Sequence, residues 1–412
     1  MATFVAQVLC IRAVVGAFGT AQYAYYASLS GLLSWYFLLD FGIGYIYAQR
    51  IVRCAGDMQK IERTQRLFDT LLVRAGLVSM AFALGFGALV YFLWRPWQGM
   101  TDGNLAVGLV ITSILGCFMG LLNARARMTV CLGNALRLQV VFALSWIGVA
   151  IVLASGTRLF GDKWSIIGAV SVAMVGQTLA LLIATGSWRN DPSFGPGQTR
   201  EWIATNAREI RNSLGFAFFS ACYLQVDSIL IPKLCPSDQI AKYNLLMKLA
   251  LGWHVCYIQL LQYIQGHITE RNTSGVSHVT FAEAGRVIAL GIAASAAVTL
   301  GLGLLWTQMA LFLKVNGVIA YGIVDAMALL LYLSSRCALD YLNVLIQTVG
   351  DLGAVRRVAL LQTVITGPVI IVCARGGASS AIGGFGIAIW AVGVVPLYYL
   401  AKKCGALRPA RA

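Results

Sequence analysis

Residues 327–349 read MALLLYLSSRCALDYLNVLIQTV. The run is apolar enough for lipid, yet an arginine and an aspartate stand in its middle. Tyr332, Arg336, Asp340, Asn343 and Gln347 recur at helical spacing, so all five share one face of an α-helix. A charge at the centre of a bilayer costs about 2.5–3.5 kcal/mol even on lenient insertion scales. Arg336 and Asp340 lie one turn apart and offset part of that cost for each other. A structural ion pair would account for two of the five residues. Five polar residues on one stripe favour a helix that lines a polar cavity.

Composition places this helix in a membrane. The chain has 412 residues, 59% of them hydrophobic and only 11% charged, with a mean hydropathy of +0.76. Soluble domains carry about 25% charged residues, so this chain lacks the polar surface of one. The net charge of +15 comes from 31 Lys and Arg against 16 Asp and Glu. Basic loops beside an anionic leaflet explain that excess, and no soluble basic domain exists to bind nucleic acid. The ten cysteines are scattered without a C-x-x-C, and His254, His267 and His278 do not cluster with them. Neither a metal site nor a cofactor is expected. Residues 1–17 lack the basic start and cleavage site of a signal peptide.

Hydropathy predicts twelve spans, near residues 2–17, 23–47, 69–92, 105–122, 130–153, 164–184, 213–232, 239–265, 287–312, 317–349, 358–374 and 381–401. The tenth is long enough to bend or project. The longest non-membrane stretch, 185–212, holds Pro192, Gly195, Pro196 and Gly197, then a charged amphipathic segment. It divides the chain into an N-terminal lobe (1–190), a cytoplasmic linker (191–212), a C-terminal lobe (213–401) and a tail (402–412). With the N-terminus inside, 19 of the 31 basic residues fall in cytoplasmic segments and 7 on the opposite side. That bias predicts that both termini are cytoplasmic. Residues 21–32 and 241–252 echo each other through Ala21 and Tyr23 against Ala241 and Tyr243. Two halves with an even helix count share one orientation, the parallel-repeat plan of many transporters.

Other ionisable residues sit at membrane depth. In the second span, SWYFLLDFGIGYIYAQR (34–50), Asp40 lies ten residues before Arg50, about 15 Å along a helix from that basic end. Asp227 stands in the seventh span, one turn after Tyr223. The eighth carries Asn244, Lys248 and Gln259, and Asp227 is expected to face Lys248. Arg12 and Arg137 complete the set. Four cations (Arg12, Arg137, Lys248, Arg336) would suit an anionic headgroup such as a pyrophosphate, because guanidinium forks bind phosphate oxygens in pairs. Three carboxylates (Asp40, Asp227, Asp340) would serve ion coupling or brace the arginines. Tyr332, Asn343, Gln347, Asn244 and Gln259 would add polar lining.

The segment 14–52, VVGAFGTAQYAYYASLSGLLSWYFLLDFGIGYIYAQRIV, resembles the N-terminal signature of Wzx-type O-antigen and polysaccharide flippases. Those proteins belong to the multidrug/oligosaccharidyl-lipid/polysaccharide (MOP) exporter superfamily. Gly16, Phe18, Gly19 and Tyr23 correspond to the family's turn, and Asp40, Gly42 and Arg50 to its helix end. Residues 225–250 are similar to the family's helix 7–8 region, with Asp227, Tyr243 and Lys248 at matching places. The resemblance implies an all-α, MATE-like fold of about twelve transmembrane helices, in two six-helix lobes around a central cavity. It implies a bacterial inner-membrane flippase for undecaprenyl-pyrophosphate-linked oligosaccharide, coupled to an ion gradient. Its partners would be membrane lipids and a polysaccharide polymerase or glycosyltransferases.

Two alternatives stand beside this reading. A multidrug exporter of the same superfamily would prefer acidic residues for organic cations, against the cation excess at depth. A membrane-embedded polymerase or transferase would need a large outer loop or a catalytic motif. The outer loops are short and no GxSxG occurs, so an enzyme is not expected.

Overall fold

The computed structural model describes residues 2–33, 43, 46–47, 50, 57–94, 102–131, 135–160, 165–186, 196–273, 279–315, 317, 319–349, 352–404 and 406–408. Nearly all of them are helical. In hydrocarbon no water can satisfy a backbone N–H or C=O, so each apolar stretch must close its hydrogen bonds within itself.

The helices are α1 (Ala2–Leu33), α2 (Met58–Trp94), α3 (Asp102–Cys131), α4 (Ala135–Phe160), α5 (Ile166–Thr185), α6 (Pro196–Thr205), α7 (Ala207–Leu234) and α8 (Ser237–Thr273). They continue as α9 (Phe281–Phe312), α10 (Ile323–Val349), α11 (Leu352–Ala374), α12 (Ala378–Ile389) and α13 (Val395–Lys403), with a π-helical turn at Trp390–Val394 joining the last two. A short parallel pair joins β1 (Val279–Thr280) to β2 (Leu407–Arg408). Among the described residues, seven helices are long and apolar enough to cross a membrane, or eight if the bent α2 counts as one span. The protein is an all-α, multi-pass membrane protein.

Local chemistry sets several boundaries. Asp57 starts α2 by accepting hydrogen bonds from the backbone N–H groups of Gln59 and Lys60, both at 3.1 Å. Those donors and the Lys60 ammonium hold its carboxyl below the usual range. Ser165 caps α5 through the Gly168 N–H at 3.2 Å. Thr280 and Glu283 form a reciprocal capping box at the start of α9. The break expected after residue 17 takes a specific form. The helix is continuous from Ala2 to Leu33 but kinks at Gly19, whose φ of 81° suits a residue without Cβ.

The chain divides into two compact units, Ala2–Ala217 and Phe218–Ala412. In the first, α1 packs on α4, and α3 packs between α2 and α5. In the second, α10 is the hub, contacted by α8, α9, α11, α12 and α13. Of its Ile323–Ile346 stretch 78% is buried, against 22% for α9, whose Leu300, Leu304 and Leu305 point outward. Gly386 lets α12 approach this hub. A Cβ there would lie 2.8 Å from the Tyr332 backbone nitrogen and 2.9 Å from the Leu331 carbonyl carbon.

Two stretches between the expected spans are helical. The linker is helical from Pro196, and α7 already begins at Ala207. Arg50 holds it by a hydrogen bond to Asn206, a 3.4 Å ion pair with Glu209 and a cation–π contact with Trp202 at 5.1 Å. Trp202 also meets Phe68 edge-on at 5.7 Å. Arg125, which falls between the spans expected over 105–122 and 130–153, lies inside α3, which extends to Cys131. It is 2% exposed and pairs with the fully buried Asp69 of α2 at 3.1 Å. It also donates to the Gly186 carbonyl at 2.9 Å, at the C-terminal end of α5.

Candidate functional site

The stripe on α10 is the starting point. Arg336 is 7% exposed. Its Nη2 lies 3.3 Å from Asp340 Oδ2, one turn along the helix. The same Oδ2 lies 2.6 Å from Nε2 of His254 on α8. On α7, Asp227 accepts a hydrogen bond from the Tyr243 hydroxyl of α8 at 2.8 Å. Helix α8 carries both contacts, Tyr243 to Asp227 and His254 to Asp340. Buried Tyr332 leans on Phe385 of α12 with ring centroids 5.3 Å apart. Tyr257 sits below His254, its hydroxyl bonded to the Cys337 carbonyl at 3.1 Å.

Four buried polar atoms in this cluster have no hydrogen-bond partner among the described residues. They are Arg336 Nε and Nη1, Asp227 Oδ1 and His254 Nδ1. An unmet buried donor or acceptor costs about 1–3 kcal/mol, and more when charged. Such groups persist where they have work to do with a ligand or an ion. Two unused faces of a guanidinium suit an oxyanion best, because its planar fork matches phosphate or carboxylate geometry.

The remaining expected residues fall in different places. Asn343 is buried on α10, one turn below Asp340. Asn244 and Lys248 are half-buried on α8, and the Asn244 amide bonds the Ile240 carbonyl of its own helix at 3.0 Å. Asp227 takes Tyr243 as its hydrogen-bond partner in place of the expected Lys248. Both are on α8, but Tyr243 points to α7 at the depth of Asp227. Gln259 and Gln347 lie on α8 and α10, with side chains outside the described residues, as is all of Asp40. In the other unit Arg12 is exposed on α1. Arg137 is exposed on α4 and donates to the Ile183 carbonyl at 3.2 Å.

His254 was missed by the sequence reading, although a signal existed. Tyr243, Ala250, His254 and Tyr257 follow helical spacing and are all buried. This is a second face of α8, beside the Asn244–Lys248 face. Also missed was the cluster of Lys242, Asp325 and Ser379. Lys242 Nζ lies 2.9 Å from Asp325 Oδ1, Ser379 bonds the same carboxylate, and the Gly322 N–H donates to it at 2.8 Å. These bonds tie the N-terminal ends of α8, α10 and α12 together. No group of three or more metal-ligating side chains occurs among the described residues.

No protein-family model matches the chain, and no curated protein matches it either. Solved structures do. The chain is similar to the lipid II flippase MurJ in an inward closed conformation, with 15% identity and a TM-score of 0.64 over 97% of this chain and 86% of that one. It is similar to the Vibrio cholerae MATE transporter VcmN in its bent form, with 15% identity and a TM-score of 0.61 over 98% and 94%. A Pyrococcus furiosus MOP transporter, described as having a binding pocket of reverse polarity, matches at 11% identity and a TM-score of 0.54 over 98% and 92%. These likenesses span nearly the whole chain, and they establish that it is built on the MATE-like fold of the MOP superfamily transporters.

Proposed function

We infer that this chain is a transporter that flips an anionic, lipid-linked saccharide across a membrane. The substrate class is an undecaprenyl-pyrophosphate-linked oligosaccharide, such as an O-antigen or other surface-polysaccharide unit. The chain moves it from the cytoplasmic to the outer leaflet of a bacterial inner membrane by ion-coupled alternating access, and both termini are cytoplasmic. Residues 1–190 and 213–401 form its two halves. Membrane lipids, glycosyltransferases and a polymerase are its partners. The observation that supports this reading is Arg336. It is a buried guanidinium on an apolar spanning helix, with two nitrogens free of hydrogen-bond partners among the described residues. A pyrophosphate supplies oxygens for them. The likeness to a lipid II flippase agrees with it.

A second reading has its own support. In the described cluster Asp227 and Asp340 outnumber Arg336, which suits an organic cation. Two of the similar structures are described as multidrug resistance transporters. Deleting the gene in its host separates the two. The flippase reading expects lipid-linked saccharide to accumulate and surface polysaccharide to disappear, both restored by the gene in trans. Intact surface polysaccharide together with new sensitivity to cationic drugs decides for the exporter.

A further inference from the structure

The flippase reading leaves an electrostatic problem. With Asp340 ionised and His254 neutral, Arg336, Asp340 and His254 carry no net charge, and Arg336 already serves a carboxylate. Nothing in that balance draws a phosphate. One atom resolves this. Asp340 Oδ2 faces two donors at once, Arg336 Nη2 at 3.3 Å and His254 Nε2 at 2.6 Å. Two lone pairs cannot meet at 2.6 Å, so the hydrogen of the histidine–aspartate contact lies between Nε2 and Oδ2. The other ring nitrogen, Nδ1, is then the free base. It is buried and without a hydrogen-bond partner among the described residues.

We propose that Asp340 is a counter-ion shared by Arg336 and His254, and that a proton taken up at His254 Nδ1 releases Arg336 to an anionic phosphate group. The proposal rests on the reading of Arg336 as the anion-binding residue. The charge balance is simple. The added proton makes His254 an imidazolium, and the three residues go from no net charge to one net positive charge. Asp340 then serves the nearer cation, His254. Arg336 gains a third nitrogen for the ligand, beside Nε and Nη1, and the net positive charge attracts an anion. Loss of the proton reverses each step. Proton uptake and anion binding thus favour each other, and by linkage each changes the affinity of the other by the same factor.

Among the described residues, few other titratable groups surround His254. From α10 it faces Asp340 and Arg336, with Cys337 close by through Tyr257. From its own helix it faces Tyr257. The only charged residues of α9 are Glu283 and Arg286 in its first turns, and α12 has no titratable residue. Asp227 on α7 enters through Arg336.

Two measurements on the purified, full-length protein in lipid nanodiscs test this. The first is the ¹⁵N imidazole spectrum of His254, with His267→Gln and His278→Gln removing the other signals. Protonation of Nδ1 on acidification from about pH 8 to about pH 5, with Nε2 still hydrogen-bonded, is expected. An imidazole that stays neutral throughout overturns the proposal whatever the substrate. The second is binding of inorganic pyrophosphate. It should tighten at least about tenfold from pH 7.5 to pH 5.5, and less than about twofold in His254→Gln, which keeps a donor to Asp340 but cannot hold the charge. Binding that is equally tight at both pH values, and unchanged in His254→Gln, overturns the proposal and leaves the flippase reading standing. No binding at either pH, with Arg336→Gln no different from the unaltered protein, overturns the role of Arg336 and the release step with it.

Discussion

Replacing Arg125 by Met tests whether the first unit is held by the buried pair between α2 and α3. Both partners are out of water, Arg125 at 2% and Asp69 at 0% exposure. Solvent screening therefore does not weaken the pair as it would at a surface. Two nitrogens of Arg125 reach the carboxylate, at 3.1 and 3.2 Å. Removing the arginine leaves Asp69 as an uncompensated buried charge, a loss of about 3–5 kcal/mol. The bond to the Gly186 carbonyl goes too, and bonds of charged groups contribute about 1.5–3 kcal/mol. Asp69→Leu alone should cost a similar amount, because it strands the guanidinium. The double variant Asp69→Leu/Arg125→Met removes both charges and fills the space with apolar atoms. Replacement of a whole buried pair is often neutral or stabilising, so most of the loss should return. The assay is thermal unfolding in detergent, followed by size-exclusion fluorescence for the two singles and the double. Single variants as stable as the parent, or a double that loses the sum of both singles, would refute the reasoning.

Three further outcomes are expected. Gly386→Ala puts a Cβ 2.8 Å from the Tyr332 backbone; overpacking of this kind costs about 1–3 kcal/mol, so the folded fraction on size exclusion should fall, and an unchanged profile would show that α12 and α10 are not so close. Trp202→Ala removes the ring that meets Phe68 and Arg50, about 1–2 kcal/mol of aromatic and cation–π contact, and should make the 196–210 segment several-fold more sensitive to limited proteolysis. A C-terminal alkaline-phosphatase fusion should be inactive, as the bias of the loop charges predicts; high activity would reverse the topology.

Much of the fold was legible because lipid leaves a chain few choices. An apolar stretch of about 20 residues has to be helical to satisfy its backbone, and Gly19 marked the kink in α1. The stripe of Tyr332, Arg336, Asp340 and Asn343 was legible because helical spacing alone puts those residues on one face, and all but half-buried Asp340 are buried. What sequence could not give was rotation and depth between helices. Asp227 meets Tyr243 and not Lys248 because α8 turns its Tyr243 face toward α7. His254 was passed over because a lone histidine in an apolar run has no pattern of its own; its meaning comes from Asp340, 86 residues away. Arg125 looked like a loop cation because basic residues near span ends usually face water. Its partner Asp69 opens the span expected over residues 69–92 and lies inside α2, where nothing local signals burial.

The central claim is that Arg336 on α10 receives the anionic part of the cargo. Its most direct measurement compares Arg336→Gln with the unaltered protein in a deletion strain, scoring surface polysaccharide after the amount of inserted protein has been matched. The account predicts that Arg336→Gln inserts normally, displays less than about a tenth of the polysaccharide and accumulates lipid-linked saccharide, the loss expected when a charged buried bond to substrate is removed. Normal surface polysaccharide from a normally inserted Arg336→Gln protein would contradict it.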